Sequence, residues 1–408
     1  MIQRIIIFFF LALSISIISL VSLKYALGDF DVYYDSSQHY LNRSPVYVAH
    51  GGINEFKYSP LFALLFSPLT LIKRLPALYI WTVLNLLCFY GIFILLCRLK
   101  LFSMTNLKDL LIVICLFALM GRYLFSNFKL GQINMLLCFL MVLTMYFEIT
   151  RKYFLAALVL AFSLMIKFFP LLFVLYFILT KRFKLLAYTA LLLGVFLLLP
   201  ALYSGWDLNL KYLHDWFELL KSSPPKLLYS VKNNSLLSFF SWFFVARHEP
   251  FYVYDYDQIT KGLDHQVYYA WAISCLILFV TYFNDAFFVK DKEVKVVYLD
   301  YACLFVCALL FNPLAYLNAL TFLIIPYYFI LRHLFYSPLS RKYLILIGLP
   351  LFLSFVMTVF DNRVFFKDIY LFYDYLQIKP LMCAIIFTYI SLCATKLSLM
   401  SSSRYQSL

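Results

Sequence analysis

Charge is what this chain has least of. Only 13% of its 408 residues are charged, against an apolar fraction of 64% and a mean hydropathy of +0.86. A soluble domain is about a quarter charged. So few charges cannot cover a water-soluble surface, and lipid must serve as part of the solvent. Glycine is scarce too: there are 10, beside 45 phenylalanines, which excludes a loop-rich or collagen-like chain. The glycines form neither a phosphate loop nor a dinucleotide fingerprint, which argues against ATP-driven or redox chemistry. His39, His50, His214, His248, His265 and His333 lack metal-ligand spacing. The nine cysteines (Cys88, Cys97, Cys115, Cys138, Cys275, Cys303, Cys307, Cys383 and Cys393) all lie in apolar runs. That excludes a secreted disulfide framework and predicts small hydrophobes packed in a membrane. The net charge of +14 comes as scattered pairs and triplets, not as a basic stripe, so no nucleic-acid partner is expected. No fixed-period repeat is visible, which weakens an inverted-repeat transporter reading.

What the chain has instead is apolar runs of membrane-crossing length, roughly 17–25 residues. They fall near 5–24, 77–97, 108–126, 132–149, 153–166, 168–180, 184–203, 266–284, 296–312, 314–334, 342–360 and 378–396. The expected fold class is therefore all-α: a polytopic helical bundle of about twelve transmembrane helices. The pair meeting at Lys167 to Pro170 reads as two spans or as one kinked helix. Arg4 ahead of the first apolar run suggests a signal peptide. No small-x-small cleavage site follows it, so a retained first helix is expected. The run Pro60 to Ile72 has 13 residues and is expected to lie at the interface or re-enter, not cross. The short basic loops then share one side. They carry Arg98, Lys100 and Lys108; Arg151 and Lys152; Lys181, Arg182 and Lys184; Lys290, Lys292 and Lys295; Arg341 and Lys342; Lys396 and Arg404. Positive charge in short loops marks the cytoplasm. Both termini are then inside, and two large outer segments result, 25–76 and 204–265. Smaller outer turns fall near 127–131, 167, 313 and 361–377.

Polar residues gather on the expected outer side. Gly28-Asp29-Phe30-Asp31-Val32-Tyr33-Tyr34-Asp35 follows the first span. Its carboxylates read either as a solvated helix end or as a general base for an acceptor hydroxyl. Gln132 and Asn134 either cap a helix or face a cavity and hold sugar hydroxyls. Arg122 and Lys129 lie nearby. Lys167 sits between two apolar stretches. An ionisable group at that depth is a functional candidate, able to hold a lipid phosphate, or else a lysine snorkelling to the interface. Asn233-Asn234-Ser235 precedes an aromatic run, as a helix start would. Asn312-Pro313 to Asn318 occupies a turn between later spans.

The order Asp29-Phe30-x-Val32-Tyr33-Tyr34, Pro45-x-Tyr47, Tyr58-x-Pro60-Leu61, Gly131-Gln132-x-Asn134, Lys167-x-x-Pro170 and Asn233-x-Ser235-Leu236 resembles glycosyltransferase family 87. The resemblance covers about residues 25–320. These are polyprenyl-phosphate-mannose-dependent mannosyltransferases of the GT-C fold. The resemblance implies transfer of a hexose, mannose by analogy, from a polyprenyl phosphate to an acceptor hydroxyl. The acceptor would be a lipid-linked or cell-envelope glycan at the outer face, and the anomeric carbon would invert. It makes Asp29 the base and residues 60–72 a membrane-apposed helix in the first outer loop. Asp31, Tyr33, Tyr58, Arg122, Lys129, Gln132, Asn134, Lys167, Asn233, Asn234 and Asn318 become the substrate-binding candidates. Asp31 completes an Asp-x-Asp, a metal ligand in nucleotide-sugar enzymes. A monophosphate donor needs less charge neutralisation, so neither a metal nor another cofactor is expected. Where family members often carry histidine, this chain has Tyr316-Leu317-Asn318, leaving Lys167, Arg122 or Lys129 to meet the phosphate.

The partners implied are the lipid-linked donor, the glycan acceptor and membrane lipids. The expected location is a cell membrane, in a bacterium the inner one. The whole chain is expected to be one integral membrane domain. Residues 1–203 would be the catalytic module, 204–265 the second outer segment and 266–408 the C-terminal helices. Two other classes fit the composition. A transporter or flippase of lipid-linked sugars would need no outer carboxylate and would usually show half-to-half similarity. An O-antigen polymerase or ligase would rely on outer-loop arginines, whereas segment 204–265 has only Arg247.

Overall fold

The structure, a computed structural model, describes residues 28–47, 55–227, 233–244, 265–288, 294–360 and 380–406, with single positions at 3, 14 and 16. The expected first span near 5–24 and the turn at 361–377 lie outside the described residues. Every regular element among the described residues is helical. In chain order these are α1 (Asp29–Leu41), α2 (Pro60–Phe66, continued by a 3-10 turn Ser67–Leu71), α3 (Arg74–Arg98), α4 (Leu107–Lys129), α5 (Asn134–Ile149), α6 (Tyr153–Ile166), α7 (Leu171–Leu179), α8 (Phe183–Leu198), α9 (Ala201–Ser204) and α10 (Trp206–Leu227). There follow α11 (Leu236–Phe244), α12 (His265–Phe288), α13 (Val294–Leu310), a 3-10 segment Leu317–Leu323, α14 (Ile324–Tyr336), α15 (Arg341–Phe360) and α16 (Pro380–Gln406).

Among the described residues seven helical stretches are long and apolar enough to cross a bilayer: 74–98, 107–129, 183–204, 267–284, 317–336, 341–359 and 380–401. Three other expected spans are shorter helices. α5 has 16 residues, α6 has 14 and α7 has 9. At 1.5 Å per residue they rise about 24, 21 and 14 Å, less than a hydrocarbon core of about 30 Å. α13, with 17 residues, stands at the lower end of the usual span. The run after Tyr58 is a short helix: Ser59 caps it, Pro60 occupies its first turn, and it is too short to cross. The stretch around Lys167 resolves into two helices. Lys167 is extended where α6 ends, and Pro170 opens α7.

Scarce glycine shapes the turns. Helices α3, α5 and α7 end in left-handed residues that are basic instead of glycine: Lys100 (φ 58), Arg151 (φ 59) and Lys181 (φ 58). Each turn closes the same way. The next amide reaches back across the helix end: Leu101 N–H to Leu96 C=O (2.9 Å), Lys152 to Phe147 (2.8 Å) and Arg182 to Phe177 (2.8 Å). Left-handed backbone costs a side chain about 1 kcal/mol, and the cations partly offset this by facing the negative helix ends. Glu148 pairs with Arg182 at 2.8 Å and so joins two of these turns.

The chain divides into two compact units, Met1–Leu110 with Arg122–Ser223, and Leu111–Gly121 with Pro224–Leu408. In the first, the loop helix α1 is fastened along its length. Tyr40 donates to Pro200 C=O (2.8 Å), and just beyond the helix Tyr212 donates to Ser44 C=O (2.8 Å). In the second, α15 packs along α16. There Lys396 on α16 donates to Asp300 on α13 at 2.9 Å and to Tyr282 C=O at 2.8 Å. Asp300 is 0% exposed and Lys396 5%, so this ion pair is fully interior.

Candidate functional site

The first unit brings distant stretches together at the start of α1. Gly28 caps that helix, and its N–H donates to the Asp31 carboxylate at 3.1 Å. The Phe30 N–H donates to Leu130 C=O at 3.2 Å, so the helix start lies directly on the turn between α4 and α5. Only glycine permits that approach. A Cβ on Gly28 would fall 2.9 Å from Leu130 O, and one on Gly131 would fall 2.6 Å from Phe30 Cβ. Gly131 is also left-handed, at φ +62. The buried Trp81 indole holds the same turn by donating to Gly131 C=O at 2.7 Å.

This contact sets Asp29, in the first turn of α1, against Gln132, whose side chain hydrogen-bonds its carboxylate. Burial raises the Asp29 pKa. Gln132, Lys167 and Lys57 oppose the rise by favouring the ionised form. Lys167, at the break between α6 and α7, donates to Asn134 Oδ1 at 3.1 Å and lies 5.1 Å over the Phe169 ring. Burial pushes its ammonium down to about 8, with Asp29 holding it up and Lys57 pressing it further down. A raised carboxylate and a lowered ammonium that act on one another suit acid–base chemistry near neutral pH.

Two amide ends remain open in this cluster. Among the described residues, Gln132 Oε1 and Asn134 Nδ2 are buried with no hydrogen-bond partner. One is an acceptor and the other a donor, and an unmatched buried polar atom costs about 1–3 kcal/mol. Ligand hydroxyls, which donate and accept, match both in chemistry. Tyr33 and Tyr58 share a 2.9 Å hydrogen bond between their hydroxyls. Burial first, then neighbouring charge including Asp29, raises both phenols, so both stay protonated. Tyr33 meets the rings of Tyr58, Phe62, Phe66 and Trp81 edge-on at 5.0 to 6.0 Å, forming an aromatic wall.

Other sequence candidates sit differently. Asp31 is 6% exposed, and besides the Gly28 N–H its carboxylate takes Arg74 Nη1 at 3.1 Å. Arg74 also pairs with Asp35 and lies 4.9 Å over the Tyr34 ring. Asp31 therefore braces the helix start. Lys129 is exposed in the last turn of α4, and Arg122 is half-buried two turns earlier. In the second unit Asn233 is fully engaged. Its Oδ1 accepts from Ser235 N–H (3.1 Å) and Ala315 N–H (3.0 Å), and its Nδ2 donates to Pro313 C=O (3.0 Å). The Asn234 N–H donates to Ala315 C=O at 2.7 Å, and Asn318 is 7% exposed in the 3-10 segment. The Asn233-Asn234-Ser235 and Pro313 motifs thus form one interlocked turn.

Sequence reasoning missed Lys57. It acts on both Asp29 and Lys167 and lies 3.9 Å from Glu55. The available signal was its place directly before Tyr58. It also missed Trp216 on α10, whose indole donates to Lys57 C=O at 3.2 Å and whose ring stacks on Phe168 at 5.8 Å.

Helical spans and this polar cluster define a multi-pass membrane protein with the groups for group transfer. The glycosyltransferase family 87 model matches residues 56–313, well over half of the chain. The protein belongs to glycosyltransferase family 87 and is a membrane glycosyltransferase. The matched stretch contains Tyr58, Gln132, Asn134, Lys167 and Asn233, and it begins downstream of Asp29. No curated protein and no solved structure matches the chain.

Proposed function

We propose that the enzyme moves a hexose, mannose by family analogy, from a polyprenyl-phosphate sugar to a hydroxyl of a lipid-linked or cell-envelope glycan, with inversion and with Asp29 as general base. The observation that carries this reading is the Asp29 carboxylate held between Gln132 and Lys167. In the step proposed, Asp29 takes the acceptor proton from a hydroxyl about 3 Å away. The acceptor oxygen bonds to the anomeric carbon from the face opposite the phosphate. The bond from that carbon to the phosphate oxygen breaks, and the electron pair leaves with the polyprenyl phosphate. A raised pKa makes Asp29 a stronger base than an ordinary carboxylate, while Gln132 and the two ammoniums oppose that rise by favouring the ionised form. Gln132 Oε1 and Asn134 Nδ2 are assigned to sugar hydroxyls, and Lys167 to the departing phosphate. Tyr33 and Tyr58 wall the same recess.

The larger architecture belongs to this proposal too: a single-domain GT-C-type bundle of about twelve spans, its catalytic module in residues 1–203, the site on the non-cytoplasmic face and both termini inside. The bound turn around Asn233 favours a bracing role for that residue. The test is Asp29→Asn, purified in lipid and given a panel of polyprenyl-phosphate sugars, with release of polyprenyl phosphate as the readout. Transfer should be abolished while insertion is normal. Turnover near wild type would remove Asp29 from the mechanism.

A further inference from the structure

Lys57 and Lys167 come from segments about a hundred residues apart, yet one aromatic side chain touches Lys57 itself and the neighbour of Lys167. Trp216 is 7% exposed and packs against Leu61 and Met165. Its indole N–H donates to the carbonyl of Lys57 itself at 3.2 Å. Its ring stacks face-on against Phe168, the residue after Lys167, at 5.8 Å and 12°. Leu61 lies one helical turn beyond Lys57, and Met165 lies two residues before Lys167. Trp216 thus holds the Lys57 backbone by a hydrogen bond and packs on side chains that flank Lys167 in sequence, and both lysines act on Asp29.

The charges around Asp29 suggest what such a pair is for. Asp29 and Glu55 balance Lys57 and Lys167, so the cluster is neutral when all four groups are ionised. A sugar phosphodiester brings one negative charge. The monoester left after transfer carries up to two near neutral pH. One ammonium suffices for the first, whereas the second charge develops as the glycosidic bond breaks. A second fixed cation therefore acts more strongly on the transition state than on the bound donor.

We propose that Lys57 is a second phosphate-binding residue, paired with Lys167 across the polyprenyl-phosphate group of donor and product, and that Trp216 is the positioning residue that fixes the spacing of the two ammoniums. This rests on the reading of the donor given above. It places the phosphate against the side of the recess where Trp216 joins residues 57 and 168, with the acceptor on the Gln132 side of Asp29.

The probe is farnesyl phosphate, a short-chain analogue of the leaving product, as a competitor of transfer by purified full-length protein in lipid. Lys57→Ala should raise its inhibition constant about tenfold and lower kcat about 10- to 100-fold. Lys57→Arg should stay within about threefold, because the charge is kept. Trp216→Phe keeps the stacking but removes the N–H, and should weaken farnesyl phosphate inhibition several-fold. In the Lys57→Ala background the same change should add nothing, since its effect acts through Lys57. Unchanged thermal unfolding separates these effects from misfolding. Inorganic phosphate should compete far more weakly than farnesyl phosphate, and equal competition would overturn the assignment to a lipid-linked phosphate. If Lys57→Ala is inhibited like wild type while Asp29→Asn is inactive, the Lys57 assignment falls and the base stands. If Asp29→Asn is fully active, the donor reading falls first.

Discussion

Replacing Gly131 with alanine strikes the contact on which the site depends without touching a chemical group. Two costs follow from the structure. The residue is left-handed at φ +62, where an alanine loses about 1 kcal/mol. Its new Cβ would also lie 2.6 Å from Phe30 Cβ, about 0.8 Å inside ordinary contact at 3.4 Å. Phe30 Cβ is fixed to the backbone of α1, so no rotamer change relieves the clash. The start of α1 or the turn must yield by most of that distance. Asp29 is the neighbour of Phe30, and Gln132 that of Gly131, so the displacement falls on the proposed base and its hydrogen-bond partner. A misplacement of about 1 Å costs on the order of 10²-fold in rate, so transfer should drop about 10- to 100-fold. Overpacking and backbone strain together should cost about 2 to 4 kcal/mol of stability. The assay is single-turnover transfer in lipid, read as release of polyprenyl phosphate, beside a thermal melt. Near-wild-type transfer by Gly131→Ala, with the protein folded, would refute the claim that this approach positions the base.

The pH dependence should be bell-shaped. Asp29 must be ionised, and its raised pKa moves the acid limb of kcat/KM above the ordinary carboxylate range. Lys167 must be protonated, so activity should fall as pH rises through about 8. A profile flat through pH 9 would remove Lys167 as the phosphate cation, and Lys167→Arg should carry the alkaline limb upward. Asn233→Ala removes two hydrogen bonds to the 313–315 turn and one from the Ser235 amide, and should cost about 2 to 3 kcal/mol of stability, with the donor KM of the folded enzyme unchanged. A selective rise in that KM would return Asn233 to the substrate.

Helices were the most legible part of the sequence. Apolar run lengths predict α3, α4, α8, α12 and α15 closely, because a span must be continuous and apolar whatever it packs against, whereas the run expected at 314–334 opens with a 3-10 segment and α16 extends ten residues past the run expected to end at 396. The short helix after Ser59 was readable for the same reason, from a run too brief to cross. The helices around Lys167 were less so: a lysine followed by proline breaks a helix, but it does not say whether the chain bends or ends. The site was half legible. Asp29, Gln132, Asn134 and Lys167 announced themselves as polar groups flanking apolar runs. Asp31 looked equivalent to Asp29, and only the position of Arg74 shows that its oxygens are spoken for. Lys57 resembled any loop lysine, and Trp216 any residue of an amphipathic helix. Their meaning lies in which backbone each one touches, a long-range fact that spacing does not carry.

The Asp300–Lys396 pair bears on how the protein is made. Its partners sit on helices separated by most of the C-terminal unit, so Asp300 is synthesised long before its counter-ion exists. Until α16 arrives that carboxylate lacks its buried ammonium, and removing one member of a buried pair costs about 3–5 kcal/mol. A chain that lacks α16 should therefore hold α13 less firmly, which makes the Lys396 contact a late lock on a helix already in place.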